Sequence, residues 1–480
     1  MNAYVARRSV RARPATGALL ASAAMLFTST AAAALALVAA SVVSPVAARG
    51  AARRFGVMVT VLLLVGSSLL GIGTAHADGG DEPQYADFYT PPDPLPPGQP
   101  GDLIRTEPSR MVLEPSGQLG RSRATATRIM YRSIDARGNP VAVTGTYFEP
   151  DNPWPGTGQR PLISYAVGTY GQGNQCAPSR LFNQGIHYSG GWDLTFNYEE
   201  LFVNTMVARG FAIVMTDSVG LGTTGMFTFG NRLAEAQAVL DAARAAMLLP
   251  GTSLDPRGPV AFWGYSHGGF AVASAAELAS SYAPELRVVG TYAGAPPADL
   301  KEGMPYLDGS FLVGAVGYLF NGLIGAYPEA ADAIRSKFTP RGLAMLESTS
   351  RQCFLQTGLD FAFRHLQGYF NEDPTEVFNE EPLSSLLDLQ RIGRYKPNAP
   401  VLININRYDP AAPWTAANQL GRDWCALGAD VEFRTNEQPP FLNKTDFNHV
   451  ITAFVDGEPA MQWVAARFNG APTTPNCGEF

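Results

Sequence analysis

The first 77 residues contain no aspartate or glutamate, and their charges are seven arginines: Arg7, Arg8, Arg11, Arg13, Arg49, Arg53 and Arg54. A stretch that is basic, apolar and free of acid suits an export signal better than a folded surface. Two apolar runs fill it, Gly17 to Ala48 and Gly56 to Ile72. The second has the parts of a secretory signal: Arg53-Arg54, the apolar Val57 to Leu70, and the small-residue site Ala75-His76-Ala77. Cleavage there leaves Asp78 as the new terminus, and the expectation is a secreted protein, extracellular or associated with the cell envelope. The first run is rich in Ala and Gly, and is either sequence upstream of the true start or a retained anchor.

Cysteine and histidine are also scarce. The four cysteines, Cys176, Cys353, Cys425 and Cys477, lie far apart, which excludes the usual zinc spacings. An even number in an oxidising compartment suggests two disulfides, with three connectivities open. Five histidines, one of them inside the export segment, are too few and too scattered for a ligand set, so no metal is expected. A nucleotide-phosphate loop and an internal repeat are missing as well, and no cofactor is expected. Without the export segment, 28 basic residues face 42 acidic ones, a net charge of about −14. Such a balance argues against nucleic acid and anionic membrane surfaces as partners, and no obligate protein partner is evident.

The order of elements predicts an α/β fold. Residues 78–101, rich in Pro, Gly and Asp, read as an extended arm over the surface. Ala124 to Tyr131 and Val141 to Phe148 alternate and read as an antiparallel hairpin. Short apolar runs at Pro161–Val167, Phe211–Thr216, Val260–Gly264 and Val288–Tyr292 then alternate with helical patterns at Leu201–Arg209, Asn231–Leu249 and Phe270–Tyr282. That alternation implies a mostly parallel sheet with flanking helices. It lapses over 300–396, where the pattern is helical, and strands resume at Val401–Asn406 and Asp430–Thr435 before a final helix, Val450–Phe468. The expected organisation is a core in two parts, 78–299 and 397–480, with 300–396 inserted as a helical cap over the strand C-termini. The aromatic residues of the cap (Phe311, Tyr318, Phe320, Tyr327, Phe361, Phe363 and Phe370) either line an acyl tunnel or form the cap's own core, the commoner role for such residues.

The most informative run is Val260-Ala-Phe-Trp-Gly-Tyr-Ser-His-Gly-Gly-Phe270. A chain this rich in glycine holds roughly 0.3 Gly-x-Ser-x-Gly pentapeptides by chance, so the motif alone is weak. Its setting is not, because a strand enters it and a helix leaves it, which presents Ser266 on a tight turn as a nucleophile. A serine hydroxyl needs a base, and the base needs an acid to hold it. In this architecture they follow the serine in the order acid, then histidine. His187 precedes Ser266, His267 adjoins it, and His365 lies in the helical insertion. His449, in a loop before the last helix, is therefore the candidate base. Asp409, in the exit loop of the Val401–Asn406 strand, is the candidate acid, with Asp446 as its rival. The backbone N–H of His267, and that of Thr169 in Gly168-Thr-Tyr-Gly171, are the candidate oxyanion donors. Asp217 is read as structural, capping the turn after its strand.

Taken together, the chain resembles the secretory lipases of the α/β-hydrolase superfamily, the fungal lipase A type. The resemblance rests on Cys176-Ala-Pro-Ser179, Thr216-Asp217 with Gly220-Leu-Gly222, Gly264-Tyr-Ser-His-Gly268 and the helical insertion before Asp409. It implies an α/β-hydrolase fold with Ser266, Asp409 and His449 as triad. It also implies disulfides Cys176–Cys353 and Cys425–Cys477, and a lipase or esterase acting on lipid or other small acyl esters, with transient contact to a lipid interface through the cap. His267 departs from the smaller or amide residue common there, and Val167 from the histidine often found before Gly168. Two alternatives stay open: an acyltransferase using the same triad, and a non-catalytic cell-surface protein retaining the fold.

Overall fold

The computed structural model describes residues 88–112, 122–190 and 193–480. The expected export segment, its expected cleavage site and the first residues of the arm lie outside the described residues.

A nine-stranded sheet in the order β1-β2-β3-β7-β4-β8-β9-β10-β11 organises these residues. Strands β2 (Ala124–Ile134) and β3 (Pro140–Pro150) form the expected hairpin, in register from Ala124 opposite Pro150 to Ile134 opposite Pro140. Its turn is set by Asp135, whose carboxylate accepts from the amides of Arg137 and Asn139 at 2.9 and 2.8 Å. Strand β1 (Leu103–Ser109) was not foreseen. It is an antiparallel edge strand on β2, and its polar, half-exposed sequence hides it from a hydrophobicity pattern.

The remaining strands, β4 (Leu162–Ala166), β7 (Ala212–Thr216), β8 (Pro259–Tyr265), β9 (Arg287–Gly294), β10 (Val401–Asn406) and β11 (Val431–Asn436), pair in parallel. Every residue of β4, β7, β8 and β10 is buried. Their unbroken apolar runs follow from that, since helices cover both faces of a parallel sheet. A small separate hairpin, β5 (Ile186–Gly190) with β6 (Asp193–Phe196), completes the strands.

The core helices are α1 (Pro178–Gln184), α2 (Glu200–Ala208), α3 (Arg232–Leu248) and α4 (His267–Tyr282). Asn231 caps α3 by accepting from the Ala234 amide at 3.0 Å. Between β9 and β10 come α5 (Leu300–Tyr306), α6 (Ala315–Ala326), α7 (Ala331–Arg335), α8 (Pro340–Thr349), α9 (Phe354–Phe361), α10 (Pro374–Val377) and α11 (Leu383–Gln390). The two ends of this insertion meet where the Ile392 amide donates to the Ala298 carbonyl at 3.0 Å. Its interior is a stack of rings: Phe320 on Phe338 at 5.0 Å, Phe338 on Phe370 at 4.6 Å, Phe370 on Phe378 at 5.4 Å. Phe320, Phe370 and Tyr318 are thus packing residues, while Phe363 is 52% exposed. The chain ends with α12 (Trp414–Ala426) and α13 (Phe447–Phe468).

Two disulfides are present, Cys176–Cys353 and Cys425–Cys477. The described part of the arm has no helix or strand over residues 90–100, which are exposed or half-exposed, and it is anchored at its start. Phe88 and Tyr89 are buried with Met130 and Ala142, and the Tyr89 hydroxyl hydrogen-bonds that of Ser179 at 2.8 Å. Two aromatic anchors therefore hold the proline-rich arm to the body of the fold.

Candidate active site

Strand β8 delivers Ser266 at φ 59°, and α4 begins one residue later. The turn is possible because its neighbours lack side chains. A Cβ on Gly264 would lie 2.2 Å from the Gly268 carbonyl oxygen, and one on Gly268 would lie 2.1 Å from that of Ala166. The backbone of the β4 exit thus lies directly against the turn. The Ser266 amide is taken by the Gly294 carbonyl at 2.8 Å, which ties the turn to β9.

His449 was expected in a loop and lies instead in the first turn of α13. Its ring sits 5.1 Å from that of Tyr265, the residue before Ser266, and the Tyr265 hydroxyl donates to the His449 carbonyl at 2.7 Å. Nδ1 of His449 is 2.7 Å from Oδ2 of Asp409. The other Asp409 oxygen accepts from the amides of Ala411 and Ala412 at 2.8 and 2.9 Å, so a fully buried carboxylate is aimed at the imidazole by its own loop. Nε2 of His449 is buried and has no hydrogen-bond partner, the link to Ser266 included. Burial works against a charged imidazole here. The charge and hydrogen bond of Asp409, with the charge of Asp446, outweigh it and raise the pKa above the ordinary value. Asp446 makes no hydrogen bond to His449; loss of water, reinforced by Asp409 and opposed by His449, pushes its own carboxyl up to about 7.

The His267 side chain turns away from the serine. Its Nε2 is 2.8 Å from Oε1 of Glu235, and its ring stacks on Phe229 at 4.1 Å. Its amide lies in the first turn of α4, where no carbonyl one turn behind can take it. Thr169 lies in the loop after β4, and its carbonyl accepts from the Tyr198 hydroxyl at 3.1 Å. The insertion reaches the same region. The Phe354 amide donates to the Tyr170 carbonyl at 2.8 Å beside Cys176–Cys353, and the Phe311 amide to the Lys444 carbonyl at 2.8 Å. Both contacts fall on loops that leave the carboxyl ends of strands.

The family model described as Secretory lipase matches residues 190–476, more than half of the 480-residue chain. The chain belongs to the secretory lipase family. A Malassezia globosa protein named secreted triacylglycerol lipase is 26% identical over 425 residues, covering 88% of this chain and 89% of that one. A Mycobacterium tuberculosis protein named "probable inactive lipase" is 27% identical over 387 residues, covering 81% and 82%. Among solved structures, Candida antarctica lipase A superposes with a TM-score of 0.69 at 23% identity, over 82% of this chain and 87% of that one. That likeness shows the shared α/β-hydrolase fold.

In this member of the secretory lipase family the other candidate residues separate cleanly. His187 pairs with Asp193 at 3.3 Å on the small hairpin, and His365 with Asp308 at 2.8 Å on the surface. Asp217 is buried as expected of a structural residue, but it does not cap its turn. It accepts from the Thr144 hydroxyl at 2.6 Å and from the amide and hydroxyl of Ser179 at 2.8 and 2.5 Å, fastening β3 to the Cys-Ala-Pro-Ser segment. Among the described residues no group of His, Cys, Asp and Glu side chains could hold a metal ion. Sequence reading missed Glu199. Its buried carboxyl accepts from the Tyr165 hydroxyl and the Gly168 amide, both at 2.5 Å. Burial raises its pKa to about 7, against the lowering effect of those two bonds and of His267. Glu199 sits in a polar Asn-Tyr-Glu-Glu run that looks like any helix start, so no local signal set it apart.

Proposed function

We propose that this protein is a secreted serine hydrolase that cleaves lipid or other acyl esters through an acyl-enzyme. One observation carries the reading: Asp409, buried and aimed by two amides, holds Nδ1 of an imidazole whose Nε2 stays unpartnered beside the serine turn. Ser266 attacks the ester carbonyl while His449 takes its proton. Asp409 fixes the tautomer and stabilises the imidazolium. The amides of His267 and Thr169 receive the oxyanion, helped by the positive end of α4. His449 returns the proton to the leaving alcohol, then activates a water that releases the acid. In the resting state the His449–Ser266 bond is not closed, as is common before substrate binds. The inserted helices form a cap over this site, and Asp78 is the terminus of the exported chain.

The name of the Mycobacterium tuberculosis relative keeps a non-catalytic reading in view, and one assay separates the two. With p-nitrophenyl esters of graded chain length, Ser266→Ala lowers kcat by about 10⁴-fold or more, and a fluorophosphonate labels the Ser266 peptide alone. A wild type without activity on any length, or a variant with full activity, overturns the proposal. Preference for long chains assigns lipase over short-chain esterase.

A further inference from the structure

We infer that Asn197-Tyr198-Glu199 is a clamp that positions the oxyanion loop, with Glu199 its anchoring residue. The inference rests on the reading of Ser266 as nucleophile and adds a positioning group to it. Four hydrogen bonds join this tripeptide to Gly168-Thr169-Tyr170. Glu199 Oε1 accepts from the Gly168 amide at 2.5 Å, and the Tyr198 hydroxyl donates to the Thr169 carbonyl at 3.1 Å. The Tyr170 hydroxyl donates to Asn197 Oδ1 at 2.6 Å and accepts from the Glu199 amide at 3.4 Å. The rings of Tyr170 and Tyr198 meet edge to face at 4.6 Å.

The pattern of these bonds gives the clamp its purpose. The peptide plane before Gly168 is pinned by its N–H on Glu199, and the plane after Thr169 by its C=O on Tyr198. The plane between them carries the Thr169 N–H, which has no hydrogen-bond partner among the described residues. Its orientation is therefore set from both sides while the donor stays open. The loop abuts the serine turn, since the Ala166 and Val167 carbonyls bound the space at Gly268. The Glu199 carboxyl is buried, whereas the neighbouring Glu200 is only half-buried, and burying such a group is expensive unless hydrogen bonds hold it. Glu199 is 3% exposed and is hydrogen-bonded by the loop and by Tyr165, beneath the site.

The test measures kcat, KM and Tm for Glu199→Ala, Glu199→Gln, Tyr198→Phe and Ser266→Ala on one p-nitrophenyl ester. A misplaced oxyanion donor lowers kcat with little change in KM, so Glu199→Ala is expected to lose about 10²-fold in kcat with KM within about threefold. Glutamine still accepts from the Gly168 amide and should recover at least about tenfold of that loss. Tyr198→Phe should lose about three- to tenfold in kcat. A folded Glu199→Ala with kcat within about twofold of wild type overturns the clamp, and so does a glutamine variant as impaired as alanine. If Glu199→Ala does not fold, Tyr198→Phe decides, and an unchanged kcat overturns the clamp. Full activity in Ser266→Ala would instead overturn the nucleophile assignment, a separate failure from that of the clamp.

Discussion

Ser266 holds a φ of 59°, a conformation that disfavours any residue with a Cβ by about 1 kcal/mol or more. The fold keeps it there because the turn is bounded by backbone on both sides, which leaves the hydroxyl at the rim. At the same scale, the rivalry between Asp409 and Asp446 becomes a question of orientation. Asp409 hydrogen-bonds His449, whereas Asp446 acts on it through charge alone. Their asparagine variants should therefore behave differently. Asp409→Asn removes the acceptor that fixes the tautomer, and a loss of about 10⁴-fold in kcat/KM is expected. Asp446→Asn should keep its activity at pH 8 while moving the acid limb of the kcat/KM profile. The sign follows from the role proposed for His449: a general base works only when neutral, so activity falls as pH drops through its raised pKa, above about 6.5. Removing the negative charge of Asp446 lowers that pKa and shifts the limb to lower pH. A collapse of activity in Asp446→Asn with little effect of Asp409→Asn would reassign the acid. The pairing of His449 with Asp409 could be anticipated from the sequence through scarcity, since few histidines leave few choices. Glu199 could not, because its partners, the Gly168 amide and the Tyr165 hydroxyl, lie 31 and 34 positions away, invisible to any motif.

Among elements, legibility tracked burial. Strands β4, β7, β8 and β10 announced themselves because two covered faces demand unbroken apolar runs. Helix α13 was foreseen from Val450 but starts at Phe447, so the sequence reading placed His449 outside the turn that carries it. Strand β1 and the small β5–β6 hairpin went unseen, being short, partly polar and partly exposed. The helical insertion was visible as a lapse in alternation, but what fastens it was not. Cys353 joins it to the loop that continues from Gly168–Gly171, and the amides of Gln172 and Gly173 both reach the Gln352 carbonyl. The bridge spans 177 residues, and closing a loop of that length restricts the unfolded chain by about 5 kcal/mol in the chain-entropy account. The double variant Cys176→Ser/Cys353→Ser should lower Tm by roughly 5 °C in a thermal scan. It should also reduce kcat, because the insertion then bears on the proposed oxyanion loop through hydrogen bonds alone. An unchanged kcat in the folded variant would show that the bridge serves stability only.

For the molecule as a whole, several buried groups bind protons more tightly in the fold than in the unfolded chain. Burial is the leading cause for Glu199 and Asp446, both raised to about 7, and for Asp241, raised to about 6; Asp217 is raised in the same way. A carboxyl whose folded pKa is raised contributes stability that is complete below its unfolded value and is lost as pH climbs through the folded one. His449 adds to the trend, because its raised pKa favours the protonated fold until the pH passes it. All five therefore act in one direction, and stability should decline between about pH 5 and pH 8. The net charge of about −14 expected of the chain without residues 1–77 reinforces that decline through self-repulsion. The general base proposed here needs the opposite, a deprotonated imidazole, so on that reading activity and stability pull toward different ends of that window. Glu199 alone accounts for about 3 kcal/mol at most, given a rise from 4.5 to about 7 in a buried site. Glu199→Gln has no such proton to lose. Its Tm relative to wild type should rise by roughly 4 °C between pH 5 and pH 8. Parallel Tm profiles for the two proteins across that range would mean that Glu199 does not titrate there, and that its carboxylate is fully ionised throughout.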